Sequence, residues 1–131
     1  MAKPVHEVAV ALVYRNGKWL VARRPRNTHL GGYWEFPGGK RHVTEPPAAA
    51  ALRELREECD VVAIAQRELP MLVCDYDDRI VELTPVLCRW EAGEGRPLGC
   101  DECRWASRRQ IAELRMPPVN AELLRYLDPD A

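Results

Sequence analysis

Residues 38–61 read GGKRHVTEPPAAAALRELREECDV, and the reading of the whole chain turns on them. The stretch opens on a glycine pair, passes a proline-marked helix start at Glu45-Pro46-Pro47, and continues as a helix crowded with carboxylates. Ala48, Ala51, Leu52, Leu55 and Cys59 recur at helical spacing and define its buried stripe. Glu54, Glu57 and Glu58 stand at i, i+3 and i+4, which sets all three on one face, largely off that stripe. Three like charges side by side repel, so the arrangement stabilises nothing by itself. A hard cation reverses the sign, because Mg²⁺ or Mn²⁺ takes carboxylate oxygens and shares them with substrate phosphates. A solvated Glu/Arg helix, with Arg53 and Arg56 offsetting the acids, is an equal reading of the charges alone.

Upstream lies a strand pair. Residues 6–14 are apolar and β-branched, Arg15-Asn16-Gly17-Lys18 is a turn, and residues 19–22 (WLVA) resume. Asn-Gly between two such runs is a strong hairpin signal. Pro25 ends the second strand, and residues 26–33 form a polar loop. Trp34-Glu35-Phe36 is a short extended piece closed by Pro37 and the glycine pair, where positive φ or a close approach to the backbone is expected. Downstream, residues 61–65 and 69–73 read as extended, residues 75–79 as a polar turn, and residues 80–90 as a strand. Pro85 inside that strand suggests an edge position or a bulge. Residues 91–103 form a Gly-containing loop, long for a compact domain and of a kind often functional. A short strand at Arg104-Trp105, a Ser107-capped helix over 108–114 and a final helix over 121–127, stopped by Pro129, complete the chain. Strands interleaved with two or three helices predict an α/β domain with a mixed sheet, one domain over residues 1–131.

Net charge is −1, so no global basic field invites a nucleic acid polymer or an acidic membrane. An anionic substrate must be met locally, by a few arginines or by a metal. No apolar run approaches a membrane span and the N-terminus lacks a signal-peptide layout, so a cytoplasmic protein is expected. The five cysteines (59, 74, 88, 100 and 103) are odd in number and irregularly spaced, which argues against a disulfide framework. Cys100 and Cys103 make one CxxC, but no second pair and no His pair complete a zinc site, so they read as loop thiols.

The opening stretch resembles the Nudix box, G-x5-E-x7-R-E-U-x-E-E-x-G-U, with U a bulky aliphatic residue. Gly39 is followed by five residues to Glu45 and seven more to Arg53-Glu54; Leu55 and Val61 fill the aliphatic positions, and Glu57-Glu58 the acidic pair. Only Asp60 departs, standing where glycine is expected; an aspartate tolerates the left-handed turn that ends the helix. The approach Trp34-Glu35-Phe36-Pro37-Gly38-Gly39-Lys40, the pair Arg23-Arg24, Arg79, and Pro117-Pro118-Val119-Asn120 are similar to the MutT branch, which cleaves oxidised guanine nucleotides.

That resemblance implies a Nudix-type α/β/α sandwich and a metal-dependent pyrophosphohydrolase acting on a nucleoside triphosphate. It places Mg²⁺ (or Mn²⁺) on Glu54, Glu57, Glu58 and the carbonyl of Gly38 or Gly39. Glu54 is the first choice for activating water; Arg53 braces the box, and Glu45 supports the junction of loop and helix. Arg23, Arg24, Glu35, Phe36, Arg79 and Asn120 are the implied nucleotide-binding residues. The Asn120 amide offers both a donor and an acceptor to a purine edge, although it is also a natural N-cap for the final helix. The implied substrate is 8-oxo-dGTP; pyrimidine or nucleoside-diphosphate-linked substrates are the alternative. A non-catalytic module like the C-terminal domain of adenine glycosylases is disfavoured by the intact glutamates. Three departures stand out. His42 replaces a usual glutamate, Thr44 a usual glycine, and Gly99 a metal-binding glutamate, with Asp101 or Glu102 the candidate substitutes.

Overall fold

In the computed structural model, which describes residues 2–127, the first hairpin forms as its turn residues require. β1 (Val5–Arg15) and β2 (Lys18–Arg23) pair antiparallel, and Asn16 and Gly17 both have positive φ, 47° and 81°. These are the two left-handed positions of a type I′ turn, whose twist matches the strands it joins. β3 (Trp34–Glu35) pairs with β2, and β4 (Gly38–Lys40) pairs with the N-terminal half of β1. β5 (Val62–Glu68), β6 (Leu72–Asp75), β7 (Ile80–Ala92) and β8 (Glu102–Ala106) complete the sheet. The strand order is β3-β2-β1-β7-β5, with β4 on β1, β6 on β7 and β8 on β2. β1 and β7 run parallel over ten residue pairs, from Val5↔Ile80 to Tyr14↔Arg89, and the other pairings are antiparallel. The sheet is mixed, as expected.

β1 is buried on both faces, so its alternation of side chains builds two cores. Ala9, Ala11 and Val13, with Leu20 and Ala22 of β2, meet the buried stripe of α1 (Pro47–Cys59), made of Ala50, Ala51, Leu55 and Cys59. Val10 and Leu12, with Trp19 and Val21, face the other way. Ile111 of α2 (Arg108–Ile111), Leu123 and Leu127 cover them, together with α3 (Pro118–Glu122) and a 3₁₀ turn over Leu123–Tyr126. Helices on both faces of the sheet give the α/β/α sandwich. No helix among the described residues is long and apolar enough to cross a membrane.

Three local expectations are corrected. Pro85 is not at an edge: β7 lies between β1 and the β5–β6 pair. The irregularity is on its partners' side, where β5 ends at Glu68↔Val86 and β6 begins at Leu72↔Leu83. The Pro85 carbonyl accepts from Leu69 N–H at 2.8 Å in that gap, so the missing proline donor falls where the ladder is already interrupted. The Ser107 helix does carry a full capping box with Gln110, yet ends at Ile111 rather than Leu114. The final helix begins earlier than expected, with Pro117 as N-cap and Pro118 in the first turn, and tightens to 3₁₀ after Glu122. Asn120 is therefore inside α3 and is not its cap. Pro129 lies outside the described residues.

Candidate active site

Pro46 and Pro47 start α1, and Asp60 ends it in the left-handed conformation, φ 54° and ψ 43°, as its place in the box predicts. The loop before α1 is fastened by Glu45. One of its carboxylate oxygens accepts from His42 N–H at 2.9 Å, and both receive Arg53, through Nε at 2.9 Å and Nη2 at 3.0 Å. Hydrogen bonds from Arg53 and from the His42 N–H hold the Glu45 carboxyl down at about 2. Arg53 reaches further: Nη1 donates to Glu54 at 2.9 Å and to Glu57 at 3.2 and 3.3 Å, and Nη2 to the Lys40 carbonyl at 3.0 Å. One guanidinium thus ties β4, the loop and two of the three face carboxylates together. Its planar fork is what a lysine could not supply.

The three glutamates differ in setting. Glu54 is 18% exposed and Glu57 58%, so Glu57 points to solvent at the rim. Glu58 turns inward and accepts from Gly38 N–H at 3.2 Å. Burial, reinforced by the nearby charge of Glu35, pushes the Glu58 carboxyl up to about 8. A carboxylate group with so little compensation is the electrostatic complement of a cation.

The register of β4 distinguishes the two glycines. Pro37 pairs with Ala11 and Arg41 with Glu7 through ladder hydrogen bonds, and Gly39 sits opposite Ala9 between them. In an antiparallel ladder such positions alternate, so Gly39 turns its N–H and C=O to β1, whereas Gly38 turns both away from it. The Gly38 N–H already meets Glu58, which puts its carbonyl on the helix side; the sequence left both glycines open as ligands, and the geometry favours Gly38. Gly39 matters through its missing side chain: a Cβ there would lie 2.6 Å from the Glu54 carboxyl carbon. Neither glycine has positive φ, so only the close approach anticipated for the pair is used. The assembled donors are hard oxygens, the set that suits Mg²⁺ or Mn²⁺.

A cleft of about 330 Å³ opens beside these groups, lined by Gly38, Gly39 and Glu58 at one end and Arg24, Glu35, Phe36, Arg79 and Asn120 at the other. A neighbouring hollow of about 480 Å³ shares Arg24, Glu35, Arg79 and Asn120. The structure therefore gathers most of the sequence candidates in one place. Arg24 is held in it by His29 O at 2.8 Å and by Glu35 at 3.0 and 3.2 Å. Burial raises the Glu35 carboxyl and the Arg24 charge opposes it. Arg79 pairs with Asp78 and stacks on the Tyr76 ring, 4.8 Å from its centroid. Arg23 does not join them: it pairs with Glu102 on β8 and lies over Trp34. Unforeseen were the floor residues, His6, Val8 and Val10 of β1 and Val81 and Leu83 of β7. The sequence carried their strands but not which strands would become neighbours.

The two candidate substitutes for Gly99 are engaged by other partners. Asp101 accepts from Arg26 N–H at 3.1 Å, and Glu102 lies between Arg23 and Arg104. Gly99 itself packs on the end of α1, its N–H donating to Glu58 O at 3.0 Å. The cysteine expectation also changes, since Cys100 and Cys103 lie against Cys59 of α1.

Residues 8–126 match the NUDIX domain family. The chain belongs to that family. It is a Nudix hydrolase, an enzyme of phosphoric anhydride bonds that works with a divalent metal. It is 37% identical over 82 residues to an 8-oxo-dGTP diphosphatase of Proteus vulgaris, a match covering 63% of this chain and 73% of the relative. It is 38% identical over 77 residues to the CTP pyrophosphohydrolase of Escherichia coli (strain K12), covering 59% of this chain and 57% of that one. Among solved structures, the E. coli ORF135 protein in solution superposes with a TM-score of 0.81 at 27% identity, over 94% of this chain and 88% of that one. As a Nudix fold, the sandwich accounts for the placing of the box: α1 lies across β4 so that the carboxylates face the glycine strand.

Proposed function

We propose that this Nudix hydrolase converts a nucleoside triphosphate and water to the nucleoside monophosphate and pyrophosphate, acting on oxidised purine nucleotides such as 8-oxo-dGTP with Mg²⁺ or Mn²⁺. The observation that carries this reading is the continuity of one cleft from the Glu58 carboxylate to the Asn120 amide. Glu54, Glu57, Glu58 and the Gly38 carbonyl would hold the cation. When bound, it neutralises phosphate oxygens and acidifies water for in-line attack. The chain's own residues do the positioning. Arg53 fixes the Glu54 and Glu57 carboxylates, Glu45 fixes Arg53, and Glu54 takes the proton from the attacking water through the oxygen Arg53 leaves free.

At the far end, Asn120 Oδ1 is already bonded to Phe36 N–H. That bond orients the amide and leaves its N–H₂ without a protein partner, so Asn120 donates to an acceptor on the base such as the guanine O6, with one Oδ1 lone pair still open. Arg24 and Arg79 supply positive charge beside it. The CTP-acting relative supports a second reading, a pyrimidine triphosphate in the same cleft. The test is kcat/KM across 8-oxo-dGTP, dGTP, CTP and dCTP with each cation. Preference for 8-oxo-dGTP over dGTP and over both cytosine nucleotides is expected. Preference for CTP would replace the purine reading, and no pyrophosphate release from any of them would overturn both.

A further inference from the structure

The sulfur atoms of Cys59, Cys100 and Cys103 all lie within 4.8 Å of one another, and those of Cys100 and Cys103 are 3.5 Å apart. These residues come from separate parts of the chain: the last turn of α1, the loop after β7, and β8. The backbone brings them together before any ligand arrives. Arg96 N–H donates to Cys59 O at 2.7 Å, and Leu98 and Gly99 N–H both donate to Glu58 O, at 2.9 and 3.0 Å. The loop thereby caps the carbonyls that the end of α1 leaves free. Asp101 N–H donates to Arg23 O at 2.9 Å, and the β2–β8 register then sets Cys103 opposite Ala22. Each sulfur is anchored by main chain within a residue or two of its own Cα.

We propose that Cys59, Cys100 and Cys103 form a trithiolate site for a thiophilic d¹⁰ cation, Zn²⁺ above all, separate from the oxygen site of the glutamates. Zn–S bonds of about 2.3 Å arranged tetrahedrally need sulfurs about 3.8 Å apart, a value inside the observed range. Cys59 is fully buried, while Cys100 and Cys103 are half-buried, so the cluster has a closed back and an open front. A water can complete four-coordination from that front. Binding converts three thiols to thiolates: one Zn²⁺ enters and three protons leave. The other two cysteines, Cys74 and Cys88, stand outside the cluster. Donor chemistry keeps the two sites apart, because Mg²⁺ selects oxygen and thiolate selects Zn²⁺.

Cys59 follows Glu58 directly, and the Glu58 carbonyl is the acceptor for the cysteine loop. An occupied site would therefore clamp the loop to the end of the helix that carries the box glutamates.

The probe is Co²⁺ added to the full, reduced, metal-free chain. A sulfur-to-cobalt charge-transfer band that saturates at one equivalent, is bleached by Zn²⁺ and persists in excess Mg²⁺ is the expected result. Cys100→Ser and Cys103→Ser should each weaken the band and its affinity, whereas Cys74→Ser and Glu57→Gln should leave both unchanged. X-ray absorption at the zinc edge of the wild-type protein, which needs no variant to fold, should show three sulfur neighbours. Absence of the band, its survival in both serine variants, or a zinc shell of oxygen and nitrogen alone would overturn the site.

Discussion

Asn120 Oδ1 accepts the main-chain N–H of Phe36 at 3.0 Å, joining α3 to the segment between β3 and β4 that leads into the glycine pair, across 84 residues of sequence. The bond is buried, so it has two separable consequences. It satisfies a donor that would otherwise be stranded, and it fixes how the amide is turned in the proposed nucleotide cleft. Asn120→Asp keeps the acceptor and loses the donor; Asn120→Ala loses both. Both variants should lower kcat/KM for a guanine-type triphosphate by roughly tenfold or more, mainly through KM. Only the alanine should also lose about 1–3 kcal/mol of stability from the orphaned N–H. Steady-state kinetics with thermal melts separates the two, and an unchanged preference among nucleotides in Asn120→Asp would remove Asn120 from base recognition.

The Glu58 carboxyl gives the site a proton to lose. Burial raises it to about 8, with the Glu35 charge acting in the same direction, so at neutral pH the cation-free protein holds it mostly protonated. In the proposed site, cation binding needs the carboxylate. Mg²⁺ binding should therefore release close to one proton at about pH 7 and almost none at about pH 9.5, measured by calorimetry in buffers of different ionisation enthalpy. The same shift bears on the cation-free fold. With the folded value above the ordinary carboxyl value of 4.5, the stability contribution is fully present below about 4.5 and is lost as pH rises through 8. Glu58→Gln should flatten that decline; a variant with the wild-type slope would show that another group causes it.

How much of this was legible in the sequence follows from how far apart the cooperating residues lie. Glu45, Arg53, Glu54, Glu57 and Glu58 are within one loop and one helix, so fixed spacing was enough to place them on one face. The Asn16-Gly17 turn and the Ser107 capping box were equally local. The misreadings concern long-range partners. The ring of Pro85 suggests an edge or a bulge, while its tolerance depends on where β5 hands over to β6. Asn120 suits a helix cap by residue type, and its actual partner, the Phe36 N–H, is invisible from position 120. The CxxC at Cys100 and Cys103 looked incomplete because its third sulfur is on α1, more than forty residues earlier.

The Glu45–Arg53 pair predicts an acid limit. Hydrogen bonds from Arg53 and from the His42 N–H lower the Glu45 carboxyl from 4.5 to about 2. A depressed folded value contributes stability above about 4.5 that is lost as pH falls towards 2. Glu45→Gln should therefore melt below wild type at neutral pH, and the difference should shrink steadily as pH drops from about 4.5 to about 2.5. Melting curves across that range decide it; a difference that stays constant with pH would mean that the loss is one of packing and not of charge.

Gly38 and Gly39 are neighbours on β4, yet replacing each by alanine should fail in a different way. A Cβ on Gly38 would meet backbone, Ala9 O and Val10 Cα, as well as the Val10 side chain. Backbone in a paired strand cannot step aside, so Gly38→Ala should destabilise the fold itself, by about 1–3 kcal/mol as overpacking does. The atoms nearest a Cβ on Gly39 would be those of the Glu54 carboxyl group, at 2.6–2.9 Å. That side chain can rotate away from strand and cation together. Gly39→Ala should accordingly melt close to wild type while losing about two orders of magnitude or more in kcat, the scale of a displaced general base. Higher cation concentration should restore only part of the rate, because the proton acceptor stays displaced even when the remaining ligands are filled. Full activity in Gly39→Ala would show that the Glu54 carboxylate works from another position, and would remove it from the site as described.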